Sequence, residues 1–128
     1  MTLLAAHATW VLIVAFAGSL LYELYRATAK AGTSRHDSPH ALARQIPLYV
    51  GAAIVIGLLF VRFELASWIG LGFTVLVIGI SILYYNPTIM RDRRPGIVDW
   101  LEDLLFSGLL FVVAALLAYD ASGWILQR

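Results

Sequence analysis

Hydrophobic positions along this chain fall in long runs, not in alternation and not in narrow helical stripes. Leu3 to Tyr22 carries no Asp, Glu, Lys or Arg and ends at Glu23. Gln45 to Val61 is a second such run, ending at Arg62, and Leu65 to Met90 is a third, containing Pro87. Leu104 to Tyr119 is the fourth, flanked by Asp103 and Asp120. A helix needs about 20 mostly apolar residues to cross the hydrocarbon of a bilayer. Inside lipid every backbone N–H and C=O must pair within its own segment, which makes these runs helices. The alternating segments of about ten residues that a membrane β-barrel needs are absent. The pattern therefore predicts an all-α fold: a polytopic membrane protein built as one four-transmembrane-helix bundle. The spans run from about 3–25, 45–62, 65–86 and 98–125, with loops at about 26–44 and 87–97, by the length rule for spanning helices.

Composition agrees with this reading. The 128 residues are 61% hydrophobic and 13% charged, with mean hydropathy +0.83. Soluble domains carry about 25% charged residues, so this chain lacks the polar surface to cover a water-soluble core. The net charge of +1 gives no field suited to nucleic acid. With no cysteine, disulfides, thiolate metal sites and cysteine nucleophiles are excluded. Ala15-Phe16-Ala17 before Gly18 resembles a signal-peptide cleavage site, but no basic residue precedes the run, so the first run is read as a span.

Charge sets an expected orientation. The first loop holds Arg26, Lys30, Arg35 and Arg44, and the third holds Arg91, Arg93 and Arg94. The second link, around Arg62 and Glu64, is a tight hairpin. Loops one and three lie on one side, and the positive-inside rule puts that side in the cytoplasm of a bacterial inner membrane, with both termini on the non-cytoplasmic side. Arg128 is a single contrary charge. Trp68 and Trp124 fall at the expected outer boundary, and Tyr22, Tyr25, Tyr84, Tyr85 and Trp100 at the inner one, where amphipathic rings are favoured.

Loop one reads as a solvated connection, with Ser38-Pro39 as a start signal for a short helix. Asn86-Pro87 is expected to end helix three, and Arg94-Pro95-Gly96 to form a turn. The fourth long helix should begin near Ile97–Asp99, with its acidic first turns matched to the helix dipole. Ser19-Leu20-Leu21-Tyr22 echoes Ser81-Ile82-Leu83-Tyr84, the trace that a duplicated helical hairpin would leave.

The candidate chemistry gathers at the inner end. Asp99, Glu102 and Asp103 share one helical face. Asn86, Arg91, Arg93 and Arg94 approach them from the third loop, and Glu23 and Arg26 come from helix one at the same level. One reading is a cation, proton or headgroup site, because ionisable groups at membrane depth are costly and often functional. The other, preferred because all these groups lie near the boundary, is an interfacial network of acids paired with the arginines. The three arginines also suit anionic lipid phosphates. His7 is the one histidine within a span and a candidate single-histidine ligand for a haem or chlorophyll, though more simply a polar anchor. Asp120 is read as an interface marker, and Glu64 with Arg62 as an outer surface pair. No ionisable residue stands at the middle of a span, which weighs against proton-coupled transport. Small residues, among them Ala15 with Ser19 and Ala114 with Ala118, allow close helix packing within the bundle or against a partner. No nucleophile elbow, phosphate loop or dinucleotide fingerprint occurs.

The four-span plan with a long first loop is similar to that of membrane-associated glutathione-metabolising enzymes. The arginine–asparagine–glutamate pattern of that family is not found in Glu23–Arg44, and the mid-helix glutamate of small multidrug exporters is replaced here by Ala15 and Phe16. Neither family is assigned. The expected function is that of an accessory or assembly subunit of a larger membrane complex. The partners are then the lipid bilayer and other membrane subunits, or further copies of the chain, with no nucleic acid and no required cofactor; a metal ligand set is not defined. The alternatives are a homo-oligomeric small transporter or channel, and a lipid-phosphate enzyme using Asp99, Glu102 and Asp103 to hold a divalent ion.

The topology is tested by labelling. A thiol introduced between Ser34 and Ser38 should resist a membrane-impermeant reagent on intact cells and react after lysis; reaction on intact cells would reverse the orientation.

Overall fold

The computed structural model describes residues 2–123. Trp124 and Arg128, expected at the end of the last span, lie outside the described residues. Helix α1 covers Leu3–Thr28, α2 Pro39–Ala43, α3 Ile46–Phe60 and α4 Ala66–Ile80. Helix α4 continues into a π-helix over Ser81–Met90 and a last turn Arg91–Arg93, and α5 covers Ile97–Ser122. Among the described residues the fold is all-helical, and four stretches are long and apolar enough to cross a membrane: Leu3–Thr28, Pro39–Phe60, Ala66–Arg93 and Ile97–Ser122.

Local signals account for the helix ends. The Thr2 hydroxyl accepts from the Ala5 N–H at 3.1 Å, and the Ser38 hydroxyl from the Ala41 N–H at 3.0 Å. Each answers one of the unpaired donors of a first helical turn. Pro39 opens α2, where its missing N–H costs nothing. The Asp99 carboxylate accepts from the Gly96 N–H at 2.8 Å, which anchors the start of α5. Gly123 ends α5 in the left-handed conformation, at φ 66°.

Asn86-Pro87 does not end the third long helix, contrary to the expectation from sequence; the chain stays helical to Arg93. A proline inside an α-helix removes a donor and presses its ring on the carbonyl four residues back. Here the ten-residue segment around Pro87 is π-helical. Its hydrogen bonds reach one residue further back, and the wider turn takes in the ring. The third loop shrinks to Arg94-Pro95-Gly96, with Arg94 left-handed at φ 51°.

Around the bundle α1 packs on α3 and α5, and α4 packs on the same two. The centre is closed by Leu12, Val55, Val77, Leu110, Val113 and Leu117, all buried. One turn toward the loop-one end, Phe16 meets a ring from each other long helix: Phe106 at 5.3 Å, Phe73 at 5.9 Å and Tyr49 at 6.2 Å. Lipid tails are as apolar as leucine, so no hydrophobic force draws these helices together, and close packing has to do so. Thr9 and Thr74 each satisfy their hydroxyl on the carbonyl four residues back, at 2.7 Å, and so pack among apolar groups. Outward, Leu21, Leu76, Leu83, Leu104 and Leu105 are exposed, as suits faces turned to hydrocarbon.

At the end away from loop one, the Thr2 and Ser67 hydroxyls both donate to the Asp120 carboxylate. Asp120 is thus a clasp joining the N-terminal turn, α4 and α5, rather than a plain interface marker. Arg62 and Glu64 are both exposed and do not form the expected ion pair.

Gly70, itself buried, marks a close helix approach in the core. A Cβ there would stand 2.9 Å from Leu117 Cδ1 and 3.3 Å from Val55 Cγ1, whereas one at Gly72 would meet nothing within 4 Å. Gly70→Val should lower the unfolding temperature in mild detergent, by the roughly 1–3 kcal/mol that overpacking costs, and Gly72→Val should leave it near that of the native chain. Equal melting of the two variants would remove this contact from the account.

Candidate functional site

Helix α1 turns Tyr22, Glu23 and Arg26 inward near its end. Loop one then folds back on them. The Gly32 N–H donates to the Asp37 carbonyl at 2.8 Å, with Gly32 at φ 84°, a conformation that glycine takes without steric cost. The Ser34 hydroxyl donates to Asp37 Oδ2 at 2.8 Å. The loop therefore carries Asp37 into the protein, and the continued helix α4 carries Tyr85 and Arg93 in from the other side.

Two arginines and three carboxylates form one network. Arg93 grips Glu23 with both terminal nitrogens, at 3.1 and 2.8 Å. It also donates to the Tyr85 hydroxyl at 2.7 Å and to the His36 carbonyl at 3.1 Å. Its Nε lies 3.0 Å from Asp37 Oδ1, in ionic contact but out of line for a hydrogen bond. Arg26 grips the same Asp37, Nε at 2.9 Å and Nη2 at 2.6 Å, and stands 3.6 Å from Asp99. The Tyr22 hydroxyl donates to Asp99, and the Tyr85 hydroxyl donates to Glu23 at 2.7 Å. Exposure is 0% for Asp37, 3% for Glu23 and Arg93, and 4% for Arg26. At such burial the two-pronged geometry and the added hydrogen bonds are what offset the loss of hydration.

Beside the network lies a cavity of about 50 Å³, lined among others by Ser19, Glu23, Tyr49, Tyr85, Glu102 and Asp103. Ser19 and Tyr49 hydroxyls pair across it at 2.9 Å. The space suits a few waters and is far below the roughly 300 Å³ at which pockets for organic ligands begin. Ser81, from the segment that echoes Ser19, lines the same cavity.

The residues expected here separate into groups. Glu23, Arg26, Arg93 and Asp99 meet in the network. Asp103 is buried, with the Asn86 side chain beside it, and the Asn86 Oδ1 has no hydrogen-bond partner. Glu102 faces the cavity and has no hydrogen-bond or ion-pair partner among the described residues. Arg91 and Arg94 stay exposed outside the network. None of Asp99, Glu102 and Asp103 forms an ion pair with a third-loop arginine: Asp99 pairs with Arg26 of α1, and Arg93 goes to Glu23 and Asp37. His7 is exposed on α1 and lines neither this cavity nor the groove between α1 and α5. Among the described residues no three His, Cys, Asp or Glu side chains converge to hold a metal ion.

Asp37 is the residue that sequence reasoning missed. Its signal is that it is the one acid between Thr28 and Arg44, in a segment otherwise basic. Tyr22 and Tyr85 read as boundary aromatics and act as hydroxyl donors to buried carboxylates; both rings also lie about 6 Å from the Arg93 guanidinium. No protein-family model, characterised protein or solved structure matches the chain.

The network predicts a sharp contrast among its arginines. Arg93→Ala leaves Glu23 without its cation and takes from Asp37 one of its two, and breaking a buried pair in this way costs about 3–5 kcal/mol. That variant should melt far below the native protein in mild detergent, or fail to accumulate, while Arg91→Ala and Arg94→Ala melt with it. Similar melting of all three variants would contradict the buried network.

Proposed function

We propose that the protein is a small accessory or assembly subunit of a larger membrane complex. The observation that carries this reading is the closed interior. The bundle axis is filled by side chains from every long helix, the polar cavity beside the network measures only about 50 Å³, and the charged groups next to it are mostly tied to one another. A single chain so packed offers neither a pathway for a solute nor a chamber for a substrate. What it offers is a rigid body with a fixed polar end and broad apolar faces.

The membrane we propose is the cell (inner) membrane of a bacterium, with the basic loops in the cytoplasm and both ends outside. Excess Lys and Arg in the two loops that share one end supports this orientation.

The test is the native mass after mild detergent extraction from the protein's own membrane. A hetero-complex of defined stoichiometry is expected. A homo-oligomer or a lone chain would overturn the subunit reading, and flux in liposomes reconstituted with that species would establish the transporter instead.

A further inference from the structure

Glu102 has a second exposure. Besides the internal cavity, it lines a groove of about 200 Å³ on the outside of the bundle, between α1 and α5. Val14, Gly18 and Ser19 form one wall of this groove, and Leu105 and Leu109 the other. Glu102 stands five residues into α5, about 7.5 Å along the helix axis, and the groove runs from it toward the middle of the span. A carboxylate reached from the lipid side, with no partner in its own chain, is an expensive feature.

Charge bookkeeping at this end shows what is missing. Five carboxylates gather there: Glu23, Asp37, Asp99, Glu102 and Asp103. The two buried arginines are spent on Glu23, Asp37 and Asp99; Asp103, beside the neutral Asn86 side chain, lines the internal cavity but not the outer groove. Arg35 is paired with Asp92, outside the bundle. A second copy of this chain offers no Lys or Arg from within an apolar run, and its Arg26 and Arg93 are already engaged, which leaves cations of the loop end such as Arg91 and Arg94 rather than one carried inside a span. No divalent-ion site forms around Glu102.

We propose that this groove docks one transmembrane helix of a different membrane protein, and that the helix carries a Lys or Arg at the level of Glu102. The inference rests on the subunit reading and says where the partner sits and what it must contain. Gly18 adds no bulk on one wall, and a Cβ there would touch nothing in this chain, so a helix can approach closely at this point. The partner's cation meets Glu102 in a water-poor setting, where an ion pair that is also hydrogen-bonded is strong and selective.

The test is photo-crosslinking in the protein's own membrane, with a photoreactive residue at Val14 or Leu105 and controls at the exposed Val75 of α4 and the exposed Leu83 of its π-helical continuation. Both groove positions should give an adduct to one other membrane protein, and the joined peptide should come from a span containing Lys or Arg. Glu102→Gln should reduce the adduct about tenfold or more, the scale of losing one member of a buried charge pair, while its melting in detergent stays native. Leu105→Trp, which fills the groove from an exposed position, should abolish the adduct at Val14. Adducts to a second copy or to lipid alone, adducts no stronger than at the controls, or adducts indifferent to Glu102→Gln would each overturn the docking proposal. A hetero-complex seen by mass but crosslinked only through α4 would overturn the groove and spare the subunit reading; absence of any hetero-complex would overturn that reading itself.

Discussion

A guanidinium does not give up its proton, so an arginine brought inside a helical bundle has to be answered by carboxylates placed around it. Arg93 is such a residue, and one end of the molecule is arranged to meet it. Glu23 comes from α1, Asp37 and the His36 carbonyl from loop one, and the Tyr85 hydroxyl from the turns above it on the same helix. Asp37 then needs more than one cation at full burial, which brings in Arg26, and Arg26 reaches Asp99 at the start of α5. One charge thereby fixes the relative positions of α1, the loop, α4 and α5.

The π-helical segment is what makes this possible. Had the helix stopped at Pro87, Arg93 would lie on a free loop in water. Because the wider turn carries the helix past the proline, Arg93 stays on a rigid element with its guanidinium aimed back at α1. Departures from α-helical pairing recur at functional sites, and here the departure sets the depth of a buried charge.

The rest of the bundle is built from apolar packing. Between the two polar ends the helices are held by fitted apolar side chains, with the Phe16 ring at the border between apolar centre and polar cavity. The Asp120 clasp closes the far end with hydroxyl donors and no arginine. Beside this network Glu102 stands out, since Glu23, Asp37 and Asp99 have cations within the chain and Glu102, which also reaches the outer groove, has none. A carboxylate left unmatched at the outer face is where another molecule has something to contribute.

The all-helical fold, with four helices long and apolar enough to span a membrane, was legible in the sequence because it depends on run length and on the pairing of the backbone within each segment, and both are local properties. The start of α2 at Ser38-Pro39 and the acidic start of α5 were legible for the same reason. The gathering of Glu23, Arg26, Arg93 and Asp99 at one level also followed from counting residues along helices. Which of them pair did not follow. Asp37 lies in a stretch with every mark of a solvated loop, and only the fold of that loop against α1 and α4 buries it. Pro87 obeys a rule about α-helices, and the register that escapes the rule is settled by tertiary packing. Composition and hydropathy determined by themselves that the chain is helical and apolar enough to cross a bilayer four times. The tertiary structure decided which charges face each other, because ion pairing depends on distances between segments far apart in the chain, and one-dimensional periodicity does not carry those distances.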